Sequence, residues 1–201
     1  GEKTGIEIPY EEGGLIPSSE WKMRRFKQKW IESETLSIAI GQGYDLVSPL
    51  QNARMIAMVA NGGRKITPHL LKEILGPDRK TVRIQGSTVG EKVIPDEVLK
   101  PVQEGLIAVV HGEGTARRLR ASPNKIAGKT GTAQGVGYGS KLRGERVRDH
   151  ALFVSYAPYD DPKIAVSVIV ENGGHGGSDA APVAQAVIDA YLGKKEGSDV
   201  R

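Results

Sequence analysis

Apolar residues recur at helical spacing in three parts of the chain, and the clearest helix is predicted from Pro49 to Asn61. Ser48 suits the N-cap, and Gln51, three residues later, completes a capping box. A pair of glycines then ends the helix. Residues at helical spacing predict one closely packed face, made of Leu50, Ala53, Ala57 and Ala60.

Two further helices are predicted, from about Asp96 to Val110 and from about Asp179 to Leu192. Pro101 is expected to kink the first of them or to mark a later start, because proline lacks an N–H donor. Residues 1–30 are interrupted by Gly and Pro and are expected to be irregular. The apolar stripe expected on the last helix consists of Val183, Val187, Ile188 and Tyr191.

The spacing changes to that of strands in the last third of the chain. Three strands are predicted, from Lys125 to Gln134, from His150 to Ala157 and from Ile164 to Glu171. The turn at 158–162 indicates that the last two are adjacent and antiparallel. Residues 65–75 and 81–84 are further strand candidates around a Gly-Pro-Asp turn. Strands combined with packed helices indicate a layered α/β or α+β fold.

The length of 201 residues fits one domain or a large part of one, and 38% hydrophobic residues suffice for a core. No run approaches the roughly 20 apolar residues of a membrane-spanning helix, and residues 1–30 do not follow the signal-peptide pattern. The absence of cysteine excludes disulfides and thiol catalysis. Because residue 1 falls within an extended segment, we expect the natural protein to continue upstream.

The net charge of +4 is concentrated in basic clusters at 22–29, 117–120 and 141–148. Aromatic residues make up only 5% of the chain and no nucleic-acid-binding motif accompanies the clusters, so no nucleic-acid partner is expected. No metal or other cofactor is expected either, because the histidines lack paired-ligand spacing. These histidines are His69, His111, His150 and His175.

Two loops each have two interpretations. The basic loop at 135–148, between Gln134 and Asp149, either borders a substrate groove or is an ordinary solvated loop. The run Gly173–Gly177 either binds an anion through backbone N–H groups ahead of the last helix or forms a flexible turn.

The segment from Gly128 to Gln134 has three interpretations. A phosphate-binding loop requires a glycine five residues before Gly-Lys-Thr and a helix after it, but position 123 is proline and a strand follows. The second interpretation is a strand that carries these residues without a function. The third is the Lys-Thr-Gly strand of serine acyl-transferring enzymes. There an ammonium and hydroxyls bind a substrate carboxylate, and a backbone N–H faces the developing oxyanion.

Several motifs occur in the order found in one known family. They are Gly41-Gln42-Gly43-Tyr44, Ser48-Pro49-Leu50-Gln51, Ala60-Asn61-Gly62-Gly63, Gly114-Thr115-Ala116, Lys129-Thr130-Gly131-Thr132-Ala133-Gln134, Arg148-Asp149-His150 and Glu171-Asn172-Gly173-Gly174. Over essentially its whole length, and least at 76–94, the chain resembles the class B penicillin-binding proteins. Three further segments resemble the elongation-type branch of that family, penicillin-binding protein 2: Ile6-Glu7-Ile8-Pro9, Glu20-Trp21-Lys22 and Arg25-Phe26.

This resemblance implies the penicillin-binding, β-lactamase-like fold, an antiparallel sheet flanked by helices, of which the chain holds a part. Residues 1–201 would be the C-terminal portion of a transpeptidase domain. The family's Ser-x-x-Lys motif, which carries the acylated serine, and its Ser-x-Asn motif are expected upstream. The segment Ser19-Glu20-Trp21-Lys22 matches the first motif literally. We reject it because it is bracketed by Gly and Pro and lacks an apolar helix start.

The resemblance also implies a peptidoglycan D,D-transpeptidase, which cross-links stem peptides and is acylated by β-lactams. Lys129 would supply positive charge and bind the substrate carboxylate. Thr130 and Thr132 would hydrogen-bond that carboxylate, and the Thr132 N–H would form part of the oxyanion hole. Gly131 would give the substrate clearance.

The family's partners and location follow from the same resemblance. The expected partner is a membrane glycosyltransferase of the elongation machinery, on the periplasmic side of the bacterial inner membrane. Two alternatives stay open: a β-lactamase or D,D-carboxypeptidase of the same fold, and a non-catalytic sensor that binds β-lactams or muropeptides. The Gly-Gln-Gly-Tyr and Ser-Pro-Leu-Gln motifs favour a transpeptidase over the first alternative.

Overall fold

A three-stranded antiparallel sheet, whose strands lie side by side in sequence order, organises the C-terminal half of the chain. Its strands are β5 (Ala127–Ala133), β6 (His150–Ala157) and β7 (Ile164–Val170). The structure, a computed structural model, describes residues 1–84, 88–134 and 148–193. The three predicted strands and their antiparallel arrangement are confirmed.

The helices flank this sheet. They are α1 (Ser19–Phe26), α2 (Glu32–Ala39), α3 (Pro49–Ala60), α4 (Asp96–His111) and α5 (Ala181–Gly193). A 3₁₀ helix spans Arg117–Ala121, and a π-type turn spans Gly176–Ala180. The predicted capping box of α3 is confirmed, since Ser48 Oγ accepts from the Gln51 N–H at 3.1 Å. Helix α4 starts at Asp96 as predicted and contains Pro101 within it.

Four short strands form two separate antiparallel pairs. Strand β1 (Arg64–Thr67) pairs with β4 (Thr88–Lys92), and β2 (Glu73–Leu75) pairs with β3 (Thr81–Ile84). The predicted strand at 65–75 is therefore wrong as a single element. Pro68 follows β1 directly and cannot donate to a strand ladder, so the pairing stops there.

The sheet separates two apolar cores because side chains alternate between its faces. Phe153 and Tyr156 lie three residues apart on β6 and are both buried, on opposite faces. Phe153 packs in a core with Ile188 of α5. Tyr156 packs in the second core with Ile56 of α3 and Leu106 of α4. The helices therefore cover both faces of the sheet, as in a three-layer α/β/α arrangement.

The buried faces of two helices differ from those predicted. In α3 the buried residues are Ile56 and Val59, and the small residues expected to form the packed face are only half-buried. In α5 the buried residues are Ala181, Ala184 and Ile188. Small side chains face the sheet there because they let the helix backbone approach β7 closely. The other members of the predicted stripe stay 43–46% exposed: Val183, Val187 and Tyr191.

The sequence predicts that residues 1–30 are irregular, but the structure shows that they contain helix α1. Ser18 caps this helix by accepting from the Trp21 N–H at 3.2 Å. The rings of Trp21, Phe26 and Tyr44 pack against one another in edge-on and tilted arrangements, with centroids 5.1–5.5 Å apart. Aromatic packing from outside the segment thus stabilises a helix that local sequence does not predict. Across the described ranges, no helix is long and apolar enough to cross a membrane.

Candidate active site

The Lys-Thr-Gly segment forms the middle of β5, at one edge of the three-stranded sheet. Antiparallel partners that stand opposite each other share a face of the sheet. Thr130 stands opposite Phe153, whereas Lys129 stands opposite Val154, which packs against the Tyr156 core. The two threonines, Thr130 and Thr132, therefore share one face of β5, and Lys129 lies on the other.

A groove of about 690 Å³ runs along the threonine side of β5. Three segments line it: the loop and 3₁₀ start at 113–118, the strand residues Thr130 and Thr132, and the turn at 175–178. The lining combines threonine hydroxyls with the guanidinium groups of Arg117 and Arg118 and the carboxylate of Glu113, which lies 3.5 Å from Arg117. A groove of this chemistry suits an anionic, hydrogen-bond-accepting ligand.

Hydrogen bonds join the walls of the groove to one another. The hydroxyl oxygens of Thr115 and Thr130 lie 2.7 Å apart, which links the 113–118 wall to β5. The Arg118 Nη1 donates to the Ser178 carbonyl at 3.1 Å, which links the same wall to the turn at 175–178. The groove is thus held open by contacts between segments that are far apart in sequence.

Glycines allow the turn at 175–178 to lie directly against β5. A Cβ atom on Gly176 would lie 2.3 Å from the Leu152 carbonyl oxygen and 2.6 Å from that of Gly131. A Cβ atom on Gly177 would lie 2.3 Å from the Thr115 carbonyl oxygen. Of the two interpretations of the glycine-rich run, the turn matches the contacts, and its glycines are there for close packing.

Lys129 lies apart from the groove. Its ammonium donates to the carbonyl oxygen of the neighbouring Thr130 at 2.8 Å, and its side chain is exposed. Gly131 has less room than the sequence suggests, since an added Cβ would lie 3.2 Å from the Leu152 Cβ. Of the four predicted site residues, the structure brings Thr130 and Thr132 together in the groove and leaves Lys129 on the opposite face.

A model of one family, described as the penicillin binding protein transpeptidase domain, matches residues 1–189. The chain belongs to this family. It is 42% identical to peptidoglycan D,D-transpeptidase MrdA of Acinetobacter baumannii, over 100% of this chain and 30% of that protein. It is 38% identical to the MrdA of Haemophilus influenzae, over 97% of this chain and 31% of that protein. The chain thus spans about 30% of the length of these curated relatives.

Solved structures confirm the fold expected for the family. Pseudomonas aeruginosa PBP2, in complex with WCK 5153, superposes with a TM-score of 0.78 and 40% identity, over 96% of this chain and 41% of that one. Helicobacter pylori PBP2 in complex with MreC superposes with a TM-score of 0.77 and 31% identity, over 96% of this chain and 34% of that one. The resemblance to penicillin-binding protein 2 is therefore confirmed as well.

Two residues that line the groove, Thr115 and Arg118, lie outside the site predicted from sequence. Thr115 belongs to a family motif and Arg118 to a basic cluster, whereas the turn at 175–178 overlaps the Gly173–Gly177 run, for which anion binding was one of two interpretations. The motif Gly114-Thr115-Ala116 is the one signal that could have drawn attention to the first. Sequence could not show that residue 115 meets residue 130, because that contact forms across two elements.

Asp179 is the anionic group at the end of the groove's turn. The Ser178 hydroxyl and the His175 backbone N–H donate to its carboxylate. These hydrogen bonds, with a smaller contribution from the nearby charge of Arg118, hold the pKa of Asp179 below its usual range. The carboxylate therefore stays ionised at neutral pH and stabilises the turn.

Two family motifs meet at the end of the sheet next to Thr132, where His150 stands opposite Ala133. The backbone N–H of Asn172 donates to the Nδ1 of His150 at 2.9 Å. The N–H of Gly174 donates to the Asp149 carbonyl at 2.9 Å. The Arg-Asp-His and Glu-Asn-Gly-Gly motifs thus hold the chain where it leaves β7 and approaches the groove.

Other family motifs support the fold away from the groove. The Gln51 side-chain amide donates to the carbonyls of Glu2 and Gly13, at 2.7 and 3.0 Å. The Asn61 side chain bridges to both backbone groups of Arg64, at 2.9 and 3.0 Å, and shapes the turn into β1. These residues hold the N-terminal segments against α3, and their contacts are structural.

The rejected Ser19–Lys22 motif lies on α1, so its serine and lysine share a helix. Its side chains are nevertheless engaged elsewhere. The Lys22 ammonium is buried and lies 2.5 Å from a Glu34 carboxylate oxygen, and the Ser19 hydroxyl donates to Glu20 at 3.0 Å. The ammonium that would have to activate the serine is therefore held in an ion pair with Glu34.

The remaining sequence predictions concern metals and the basic loop. In the described parts of the chain, no three His, Asp or Glu side chains are grouped to hold a metal ion. Of the basic loop at 135–148, only Arg148 belongs to the described residues. The rest of that loop, with Lys141, Arg143 and Arg146, lies outside them.

Proposed function

We propose that the protein containing this chain is a peptidoglycan D,D-transpeptidase of the elongation type and that this chain forms one wall of its active site. The observation that carries the proposal is the pair of hydroxyls, Thr130 and Thr132, that face one groove from an edge strand. The family match and the relatives named D,D-transpeptidase MrdA support it.

The proposed reaction is acyl transfer through a serine. The serine, expected outside this chain, attacks the carbonyl between the last two D-Ala residues of a stem peptide, and the terminal D-Ala leaves. An amine of a neighbouring stem peptide then takes the acyl group and releases the serine. β-Lactams acylate the same serine, and the acyl group is then released from it only slowly.

Each residue of β5 has a proposed role in this reaction. The hydroxyls of Thr130 and Thr132 bind the carboxylate of the acyl donor, and the Thr132 N–H is one donor of the oxyanion hole. Lys129 supplies positive charge from the other face of the strand. Gly131 lies between the two threonines, on the face of β5 that carries Lys129, and its lack of a side chain leaves clearance on that face.

The proposed partners and cellular location of the protein are based on two structural relatives. One structural relative is a Helicobacter pylori PBP2 in complex with MreC, and another belongs to a peptidoglycan synthase complex that coordinates polymerization and crosslinking. We extend this to the present protein: it works with a membrane glycosyltransferase of the elongation machinery. Its transpeptidase domain would then face the periplasm, attached to the inner membrane by a segment outside this chain.

The test is the intact mass of the full-length protein after incubation with benzylpenicillin, beside the 201-residue chain treated in the same way. We expect one covalent penicilloyl adduct on the full-length protein and none on the chain. An adduct on the chain alone would contradict the placement of the nucleophile and would make Ser19 the first residue to replace. Absence of any adduct on the folded full-length protein would contradict the proposed function.

Turnover separates the alternatives of the same fold. A transpeptidase transfers the acyl group of a stem-peptide substrate to an added amine, which mass spectrometry detects as a cross-linked product. Rapid hydrolysis of penicillin would indicate a β-lactamase instead, and removal of D-Ala without transfer would indicate a D,D-carboxypeptidase. A stable adduct without either reaction would indicate a sensor.

A further inference from the structure

We propose that Thr115 is a positioning residue for the acyl donor: its hydroxyl donates to Thr130 and thereby turns the Thr130 hydroxyl toward the substrate carboxylate. The inference rests on the proposed function and names a residue outside the Lys-Thr-Gly strand. Its basis is the contact of 2.7 Å between the two hydroxyl oxygens, at the edge of the groove that both residues line.

The direction of the hydrogen bond follows from the chemistry of the ligand. Each hydroxyl has one hydrogen to donate, and either can donate to the other when the groove holds no ligand. A carboxylate can only accept, so Thr130 must use its single hydrogen for the ligand. Thr115 must then be the donor to Thr130. The result is a chain of hydrogen bonds from Thr115 through Thr130 to the carboxylate, in which each bond strengthens the next.

The backbone around Thr115 is held in place from both sides. A Cβ atom on Gly114 would lie 2.3 Å from the Val109 Cα, so the loop passes tightly over the end of α4. The next residue, Ala116, is fully buried and donates its N–H to the Val109 carbonyl at 3.1 Å. Gly177 packs against the Thr115 carbonyl from the opposite wall. The Thr115 hydroxyl therefore stands at a fixed position relative to β5, as positioning requires.

The test compares acylation rates in the full-length protein for Thr115→Val and Thr115→Ser. Valine keeps the shape and loses the hydroxyl, whereas serine keeps the hydroxyl. The measured quantity is the second-order rate constant for acylation by benzylpenicillin and by its methyl ester, which lacks the carboxylate. We expect Thr115→Val to lower the benzylpenicillin constant by about 2- to 10-fold, the range for one hydrogen bond. The ester constant should stay within twofold, and Thr115→Ser should restore the wild-type values.

A double-mutant cycle shows whether Thr115 acts through Thr130. On a Thr130→Val background, Thr115→Val should have no further effect on benzylpenicillin acylation. An equal slowing with the ester, a full effect on the Thr130→Val background, or failure of serine to restore the rate would each overturn the proposal. Thermal unfolding of every variant identifies misfolding, and Thr115→Ala replaces Thr115→Val if valine lowers the unfolding midpoint.

The two proposals fail in different ways. If wild-type full-length protein forms no adduct, the proposed function is contradicted. If it does form an adduct and Thr115→Val reacts at the wild-type rate, only the role of Thr115 is contradicted.

Discussion

Thr130 and Thr132 share a face of β5 because strand side chains alternate, and the same rule places Lys129 on the other face. The three side chains therefore act on the substrate from different faces of the strand. The hydroxyls face the groove directly, whereas the ammonium acts from across the strand while bonded to the Thr130 carbonyl. This division predicts that the lysine and the threonines contribute differently to acylation.

Replacing Lys129 by alanine in the full-length protein should lower the rate constant for acylation by benzylpenicillin by on the order of 10²-fold. The reason is the loss of a positive charge that acts from the other face of β5 on the negative charge developing in the groove. Stopped-flow or quenched mass measurements of the adduct provide the rate. Lys163→Ala is the matched control, because that exposed lysine pairs with Asp161 in the turn between β6 and β7. Equal rates for wild type and Lys129→Ala would remove Lys129 from the site.

Gly176 is predicted to be intolerant of even one methyl group. Gly176→Ala places a Cβ 2.3 Å from the Leu152 carbonyl oxygen, so the turn must move away from β5. We expect a loss of about 1–3 kcal/mol in the free energy of unfolding, typical of overpacking, together with slower acylation. Gly105→Ala is the control: nothing lies within 4 Å of its added Cβ, and it lies inside α4. That change should stabilise by about 0.5–1 kcal/mol. Equal unfolding midpoints for Gly176→Ala and wild type would contradict the close packing.

At the scale of elements, the face of α5 that is buried depends on how closely the helix approaches the sheet. The face with the largest apolar side chains is left 43–46% exposed, and an alanine-rich face with Ile188 lies on the sheet. Ala184 and Ile188 are fully buried against the Phe153 core. Close approach between the helix and the sheet backbone selects the smaller side chains.

Two neighbouring residues of α5 test this orientation. Ile188→Ala should cost about 2–4 kcal/mol in the free energy of unfolding, because it opens a cavity in a closed core. Val187→Ala should change it by no more than about 0.5 kcal/mol, because Val187 is 45% exposed. Urea denaturation of both variants provides the comparison. The reverse order of effects would mean that the predicted stripe, and not the observed face, packs on the sheet.

At the scale of the whole molecule, the segments before α3 are held together by one ion pair, an aromatic cluster and polar contacts to α3. Lys22 of α1 is buried and pairs with Glu34 of α2, while Trp21 and Phe26 stack with Tyr44. Gln51 of α3 binds the backbone of the first residues through two carbonyls. Residues 1–47 therefore depend on ionisable contacts more than the sheet does.

The pH dependence of unfolding should reveal the Lys22–Glu34 pair. The Lys22 ammonium holds the pKa of Glu34 below its usual range, with further help from the Ile31 backbone N–H. The stabilisation is therefore present above the unfolded-state pKa and is lost as pH falls through the lower folded-state pKa. The thermal midpoint of wild type should exceed that of Glu34→Gln at pH 7, and the gap should narrow toward pH 3. A gap that is constant across this range would contradict the role of the carboxylate charge.

Much of the fold and part of the site could be predicted because their signals are local. The capping box of α3 joins residues three positions apart, and the strands β5, β6 and β7 follow runs of residues suited to strands. The Lys-Thr-Gly segment and the order of the other motifs indicate the family without any structure. Helix α1 does not follow from its own sequence because, beyond the Ser18 cap, its contacts are to Glu34 and Tyr44, which lie outside the segment.

The sequence by itself determined the family, the strand that carries the site chemistry and the helices with local caps, because neighbouring residues decide each of these. Only the tertiary structure decided which face of α5 is buried, that Thr115 meets Thr130, and that a glycine-rich turn closes the groove. The physical reason is common to all three. Packing and hydrogen bonds between elements depend on distances across the fold, and these distances are set by side-chain volume and backbone approach.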